Sequence, residues 1–304
     1  MNLERKATVV STITAIFLVI IKVIVGIFSG SIAIISSAVD SVLDMFVSMF
    51  NFLALKHSEK KSDDLFNFGR GKFEALAAFI EGLVIAISGG IILYESIIKL
   101  LDHDEIKVLE AGILVMIVSI VATGALVKFL DSVYKKTNSL VTKADSLHYK
   151  TDLYANAGIL FSLIIIKFTG LHFIDSLVGG AIAIFIIYSA YEIIKKGFLL
   201  LLDVALDENE VDKIKDIIIT SDEVTGFHHL KTRASGKVKM VSVHAEFNPH
   251  ISLLEAHKIA DKIEESIKKI DKKSEWETII HLDPYDDSNP NLTPIDKLKN
   301  KSKK

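Results

Sequence analysis

Six long apolar segments, roughly residues 8–29, 34–55, 73–98, 108–131, 148–168 and 174–200, fill the first two thirds of the chain. Each approaches the ~20 residues needed to cross the hydrocarbon core of a bilayer. The pattern therefore predicts an all-α, six-helix transmembrane domain over residues 1–205. Only "FSGSIA" separates the first two segments and only "FTGLHFID" the last two, which predicts tight helical hairpins. The opening "MNLERKATVV" leads into an apolar run longer than the core of a secretory signal, with no small-residue cleavage pattern, so it reads as a retained span.

After "LLLDVALDENEVDKI" the composition turns polar and charged, marking a second domain over 206–287. A helical face of Val211, Ile214, Ile217 and Ile218 comes first. Two strand-like runs follow, "VTGFHHLKTRA" and "KVKMVSVHAEF", parted by "SGK". The segment "SLLEAHKIADKIEESIKKI" returns to helical periodicity, and "WETIIHLDP" is a short strand ended by proline. The expected order is α-β-β-α-β, a small α+β unit that gains stability from a second copy or from metal. Residues 288–304 carry no sustained core pattern and read as a disordered tail.

Basic residues sort by side. Lys56, Lys60, Lys61, Arg70 and Lys72 join segments two and three, and Lys135, Lys136 and Lys143 join four and five. The alternate connections hold few: Lys99 and Lys107 in one, and Lys167 at the edge of another. The positive-inside rule then puts both termini in the cytoplasm. Across 304 residues the hydrophobic share is 50%, the mean hydropathy is +0.40 and the formal charge is −3. These values agree with a membrane protein and give no polybasic nucleic-acid surface. With no cysteine, any metal must be held by oxygen and nitrogen.

The chemistry concentrates in two matched pairs. In "AVDSVLD", Asp40 and Asp44 stand at i and i+4, about 6 Å apart along a helix face. In "DSLHYKTDLYAN", His148 and Asp152 repeat that spacing. If the fifth helix begins near 141, both pairs lie near mid-bilayer, where unpaired carboxylates are costly. Three carboxylates and an imidazole on facing helices suit a divalent cation of borderline softness, and four donors suit tetrahedral zinc. The same groups bind protons, so inward protons could exchange for outward metal. The alternative reading is interhelical hydrogen bonding or proton relay without metal. Asn156 reads either as lining the same cavity or as a plain interhelical hydrogen bond, and Glu74, Glu81 and Asp175 read as residues that orient helices or hydrate the path.

Six of the ten histidines fall in the second domain: His228, His229, His244, His250, His257 and His281. On the last strand His281 and Asp283 share a face, His244 stands in the second strand and His257 on the following helix. With His228 they would suit one or two metal ions. Scattered surface histidines are the other reading.

The six-span layout, the "DSVLD" and "HYKTD" pairs and the histidine-bearing second domain together resemble the cation diffusion facilitator family, over residues 8 to about 287. The likeness is to its bacterial zinc and ferrous-iron efflux members. That resemblance implies homodimeric metal/proton antiport in the inner (plasma) membrane and a metallochaperone-like cytoplasmic fold. It implies a transport site at Asp40, Asp44, His148 and Asp152. It also implies a binuclear cytoplasmic site at His228, His244, His257, His281 and Asp283, and an interprotomer ion pair of Lys72 with Asp203. A further loop site of the bacterial relatives keeps Asp63, but Phe66 and Arg70 replace its histidines, so no metal is expected there.

The expected cargo is Zn²⁺ first, then Fe²⁺, Mn²⁺, Co²⁺ or Cd²⁺, with protons as counter-ion and a lipid bilayer and a second copy as partners. A membrane metal sensor or binding protein without transport is the rival reading. A channel is disfavoured because no repeated selectivity ring appears. Enzymatic chemistry is disfavoured because no nucleophile–base pair or nucleotide fingerprint accompanies the ligands.

Overall fold

The computed structural model describes residues 2–29, 32–102, 110–169 and 173–286. Lys107 and the predicted tail lie outside these residues, as does the side chain of Asp175. The chain forms two compact units, divided between residues 199 and 200.

All four prolines follow residue 248, so no proline interrupts the helices of the first unit. Its helices are α1 (Leu3–Ser29), α2 (Ile32–Ser58), α3 (Lys72–Asp102), α4 (Glu110–Thr137), α5 (Leu140–Thr169) and α6 (Phe173–Leu201). Helix α1 packs against α2 and α4, and α5 against α4 and α3. Close approach is built on small residues: a Cβ on Gly197 of α6 would stand 3.1 Å from the Ala75 carbonyl oxygen of α3. The start of α5 is fastened by Glu74 of α3, whose Oε1 accepts from Ser139 Oγ at 2.6 Å and from Leu140 N at 3.0 Å. Glu74 thus orients two helices.

Six spans were expected, but among the described residues five helices are long and apolar enough to cross a membrane: α1, α2, α3, α4 and α6. Helix α5 begins at Leu140, ahead of the apolar segment expected from 148, and does not meet that measure. Its first half carries Lys143, Asp145, His148, Lys150 and Asp152, so a large share of its surface is polar and turned toward other helices.

The second unit holds α7 (Glu208–Ile219), β1 (Val224–Ser235), β2 (Val238–Phe247), α8 (Leu253–Lys268) and β3 (Glu275–Asp283), in the expected α-β-β-α-β order. Strand β2 is central, antiparallel to β1 and parallel to β3. The β1–β2 turn uses Gly236 at φ 61°, a conformation glycine adopts without a Cβ clash. Helix α8 starts at a capping box in which Ser252 and Glu255 each satisfy the other's backbone N–H. Alternation along β2 sorts its two faces. Val241, Val243, Ala245 and Phe247 are buried beneath α7 and α8 with Ile214, Ile218, Ile263 and Ile267. His244 and Glu246 therefore stand on the opposite, open face.

At the edge of this core, Lys239 donates to Glu210 Oε1 at 2.6 Å and to Asp271 Oδ2 at 3.0 Å, while Trp276 Nε1 donates to the Asp271 carbonyl at 3.0 Å. Hydrogen bonds from Ser274 and the Lys273 N–H, with the Lys239 charge, pull the Asp271 carboxyl down to about 2. A depressed folded-state pKa contributes stability above the ordinary carboxylate range and loses it as pH falls through that value. Asp271→Ala should therefore lower the unfolding midpoint of this unit at neutral pH, with the gap to wild type closing between about pH 4 and 2. Fluorescence of Trp276, the only tryptophan, reads this directly; a gap independent of pH would refute the role of the charge.

Candidate metal centres

Two turns of α2 and two turns of α5 face each other in the first unit. One ligand atom each from Asp44, His148 and Asp152 lies within 4.8 Å of the other two, with His148 Nε2 3.0 Å from Asp44 Oδ1. His148 is 6% exposed, so its ring is sheltered while it meets two carboxylates. Its neighbour Tyr149 is anchored by Ser48 Oγ at 2.8 Å and donates to the Ser11 carbonyl at 3.3 Å, which fixes the rotation of α5. Asp40 is exposed one turn from Asp44 and stands outside the close group. Asn156 donates to the carbonyl of Asp152 in its own helix, at 2.8 Å, and so supports α5.

A lysine completes this centre. Lys22 of α1 is 8% exposed, and its Nζ donates to Ser41 Oγ at 2.8 Å and to the Ser37 carbonyl at 3.3 Å. Its charge faces Asp152, Asp44 and Asp40. Sequence reading passed over Lys22, although a lone cation inside "VIIKVIV" is itself a signal of an intramembrane partner.

The second unit presents its chemistry on the open sheet face. Strand register sets His228 opposite His244 and His244 opposite His281, a row of three imidazoles across all three strands. In the next row Gly226, Glu246 and Asp283 are aligned. Asp283 is 7% exposed and is the hub: its Oδ2 lies 2.7 Å from His244 Nδ1 and 3.4 Å from His228 Nε2, and its Oδ1 lies 3.1 Å from His281 Nε2. His228, His244 and Asp283 form one group able to hold a metal. The other nitrogen of His228 turns toward Glu246 and Asp286, at 3.3 and 3.7 Å, in a second group that the histidine pattern did not suggest. His257 is not brought to either. It stands exposed on α8, which packs on the other face of the sheet, 3.8 Å from Asp261.

Asp63 in the α2–α3 connection is engaged within its own loop. Its Oδ1 accepts from Phe66 N at 2.8 Å and its Oδ2 pairs with Arg70 at 2.7 Å, while the Arg70 guanidinium lies 4.2 Å from the centre of the Phe66 ring. These contacts, the Phe66 N–H foremost, hold this carboxyl below its usual range. Asp203 likewise accepts from Arg233 Nη1 at 3.1 Å.

Residues 8–202 match the cation efflux transmembrane domain, and residues 206–285 match the cytoplasmic domain of cation efflux proteins. The chain belongs to the cation diffusion facilitator family. Among similar proteins are the cation-efflux pumps FieF of Escherichia fergusonii, Cronobacter sakazakii and Escherichia coli K12, each 34% identical over 283 residues that cover 93% of both chains. This facilitator is accordingly a multi-pass membrane transporter of divalent cations and not an enzyme. Its cytoplasmic domain is of the dimerising kind, which supports a homodimer.

Proposed function

We propose that this facilitator is a metal/proton antiporter of the inner membrane that exports Zn²⁺ from the cytoplasm, its donors also accepting Fe²⁺, Mn²⁺, Co²⁺ or Cd²⁺. The observation that carries the reading is the convergence of Asp44, His148 and Asp152 on one point between α2 and α5. Two carboxylates and one imidazole form a mixed oxygen–nitrogen set suited to such ions. Asp40, one turn away, supplies the fourth ligand when the cation draws it in. In this reading α5 is the sixth span, its polar first half turned to the cation path, and both termini are cytoplasmic.

Loading and unloading are competition for the same lone pairs. A metal displaces protons from His148 and the carboxylates, and protonation from the far side weakens every ligand and releases the metal. Lys22 contributes the positive charge that keeps the unloaded carboxylates tolerable. Alternating access moves α2 against α5, so that one site meets each side in turn.

On the cytoplasmic unit His228, His244 and Asp283 hold a second metal, with His281 beside it on Asp283. His228 of β1, His244 of β2 and Asp283 of β3 would hold it, and a cation there would offset the Asp283 charge, link the three strands and couple cytoplasmic metal to the dimer. An ion pair of Lys72 with the partner's Asp203 belongs to the same reading.

In vesicles carrying an internal pH dye, Asp44→Ala should cut Zn²⁺ uptake and its coupled proton release together by at least ~100-fold, since even partners of metal ligands are worth 10–100-fold. Coupled flux that survives the change would sink the transport site. For the cytoplasmic centre, Asp283→Asn in the full-length protein should lower the metal bound at equilibrium while His257→Ala leaves it unchanged. The opposite ranking would reject Asp283 as the hub.

A further inference from the structure

Helices α3 and α5 carry two carboxyls that the metal group does not use. Glu81 is 1% exposed and Asp145 is fully buried. Glu81 Oε2 accepts from Asn51 Nδ2 of α2 at 3.0 Å, and Asp145 Oδ2 accepts from Ser11 Oγ of α1 at 2.5 Å. Asn51 faces Asp145 as well as Glu81, so the amide stands between the two acids. The remaining oxygens, Glu81 Oε1, Asp145 Oδ1 and Asn51 Oδ1, are all buried and meet no hydrogen-bond donor among the described residues.

This cluster has too many acceptors and too few donors. A buried acceptor without a donor costs about 1–3 kcal/mol, more if charged. Two carboxylates enclosed together in a low-dielectric interior repel each other, and a shared proton relieves that repulsion. Lys22 is turned to the other three acids. The titratable groups facing the pair are His148 and Tyr149, both from α5; α2 and α1 bring Asn51 and Ser11, which do not titrate. His148 Nε2 is engaged by Asp44, and the Tyr149 hydroxyl by Ser48 and the Ser11 carbonyl. One hydrogen placed on Glu81 Oε1 or Asp145 Oδ1 removes a charge and adds a donor to a cluster that is short of them.

We propose that Glu81, Asn51 and Asp145 form a proton site separate from the metal ligands, which holds one proton between two carboxyls while the transport site is unloaded and gives it up when a divalent cation arrives beside His148. His148 is the link, because it touches Asp44 on one side and its charge faces Glu81 and Asp145 on the other. On loading, the carboxyl O–H bond breaks heterolytically, the proton leaves to water, and the carboxylate left behind is offset by the cation's added positive charge. Unloading reverses each step. The inference deepens the antiport reading and rests on it for the direction of coupling.

Infrared spectroscopy of the full-length protein in lipid nanodiscs tests it. At mildly alkaline pH without metal, wild type should show the C=O stretch of a protonated carboxylic acid, shifted in D₂O and bleached by Zn²⁺. Glu81→Gln and Asp145→Asn should each remove that band and still bind Zn²⁺, with proton release per metal lower by about one. Asp44→Ala should keep the band but lose its response to Zn²⁺. Absence of the band from wild type, or its persistence in both amide variants, would overturn the proton site. Undiminished Zn²⁺ binding by Asp44→Ala would instead overturn the transport site and leave the band standing.

Discussion

Negative charge inside a membrane has to be answered by positive charge close by, and the first unit is arranged around that requirement. An uncompensated charge in hydrocarbon costs about 3 kcal/mol, and domains are stable by only about 5–15 kcal/mol in all, so several unanswered carboxylates would be intolerable. The answer comes from three elements at once. His148 of α5 meets Asp44, the Lys22 charge of α1 faces the carboxylates while its ammonium bonds Ser41, and Asn51 of α2 donates to the deeper acid Glu81. These polar contacts cross between α1, α2, α3 and α5, so they tie the relative rotation of the helices to the pairing of the charges.

The second unit solves a different problem with a different geometry. A three-stranded sheet covered on one side leaves its other side to water, and the two-residue period of β2 commits alternate positions to each. Isoleucine, valine and phenylalanine take the covered side, and histidine and carboxylate take the open one. Because β2 has neighbours on both sides, His244 acquires an imidazole partner in each direction without any loop having to deliver it. Donors on paired strands are spaced by the sheet itself, which makes this cluster stiff.

What could be read in advance was what repeats along one element. The i,i+4 pairs at Asp40/Asp44 and His148/Asp152, the alternation in β2 and the order of elements are all local patterns. Relations between elements were harder. Nothing in a linear string says that Ser11 and Asp145, 134 positions apart, will share a hydrogen bond, or that Lys22 will find Ser41. His257 shows the same limit: its place in the string does not say that α8, which carries it, packs on the face of the sheet opposite His244. Asp40 has the right spacing but remains exposed, because i,i+4 places two side chains on one face without fixing how near each comes to a third helix. The polarity of α5, which makes it the least membrane-like helix by composition, is the same property that lets it carry most of the chemistry.

The position of Lys22 has one further effect. Its ammonium group pins α1 to α2 through Ser41 and the Ser37 carbonyl, and Ser41 lies between Asp40 and Asp44 in sequence. One side chain thus serves twice: the ammonium that faces three carboxylates is also the bolt between the first two helices, so Lys22→Met would remove a charge and a fastening together.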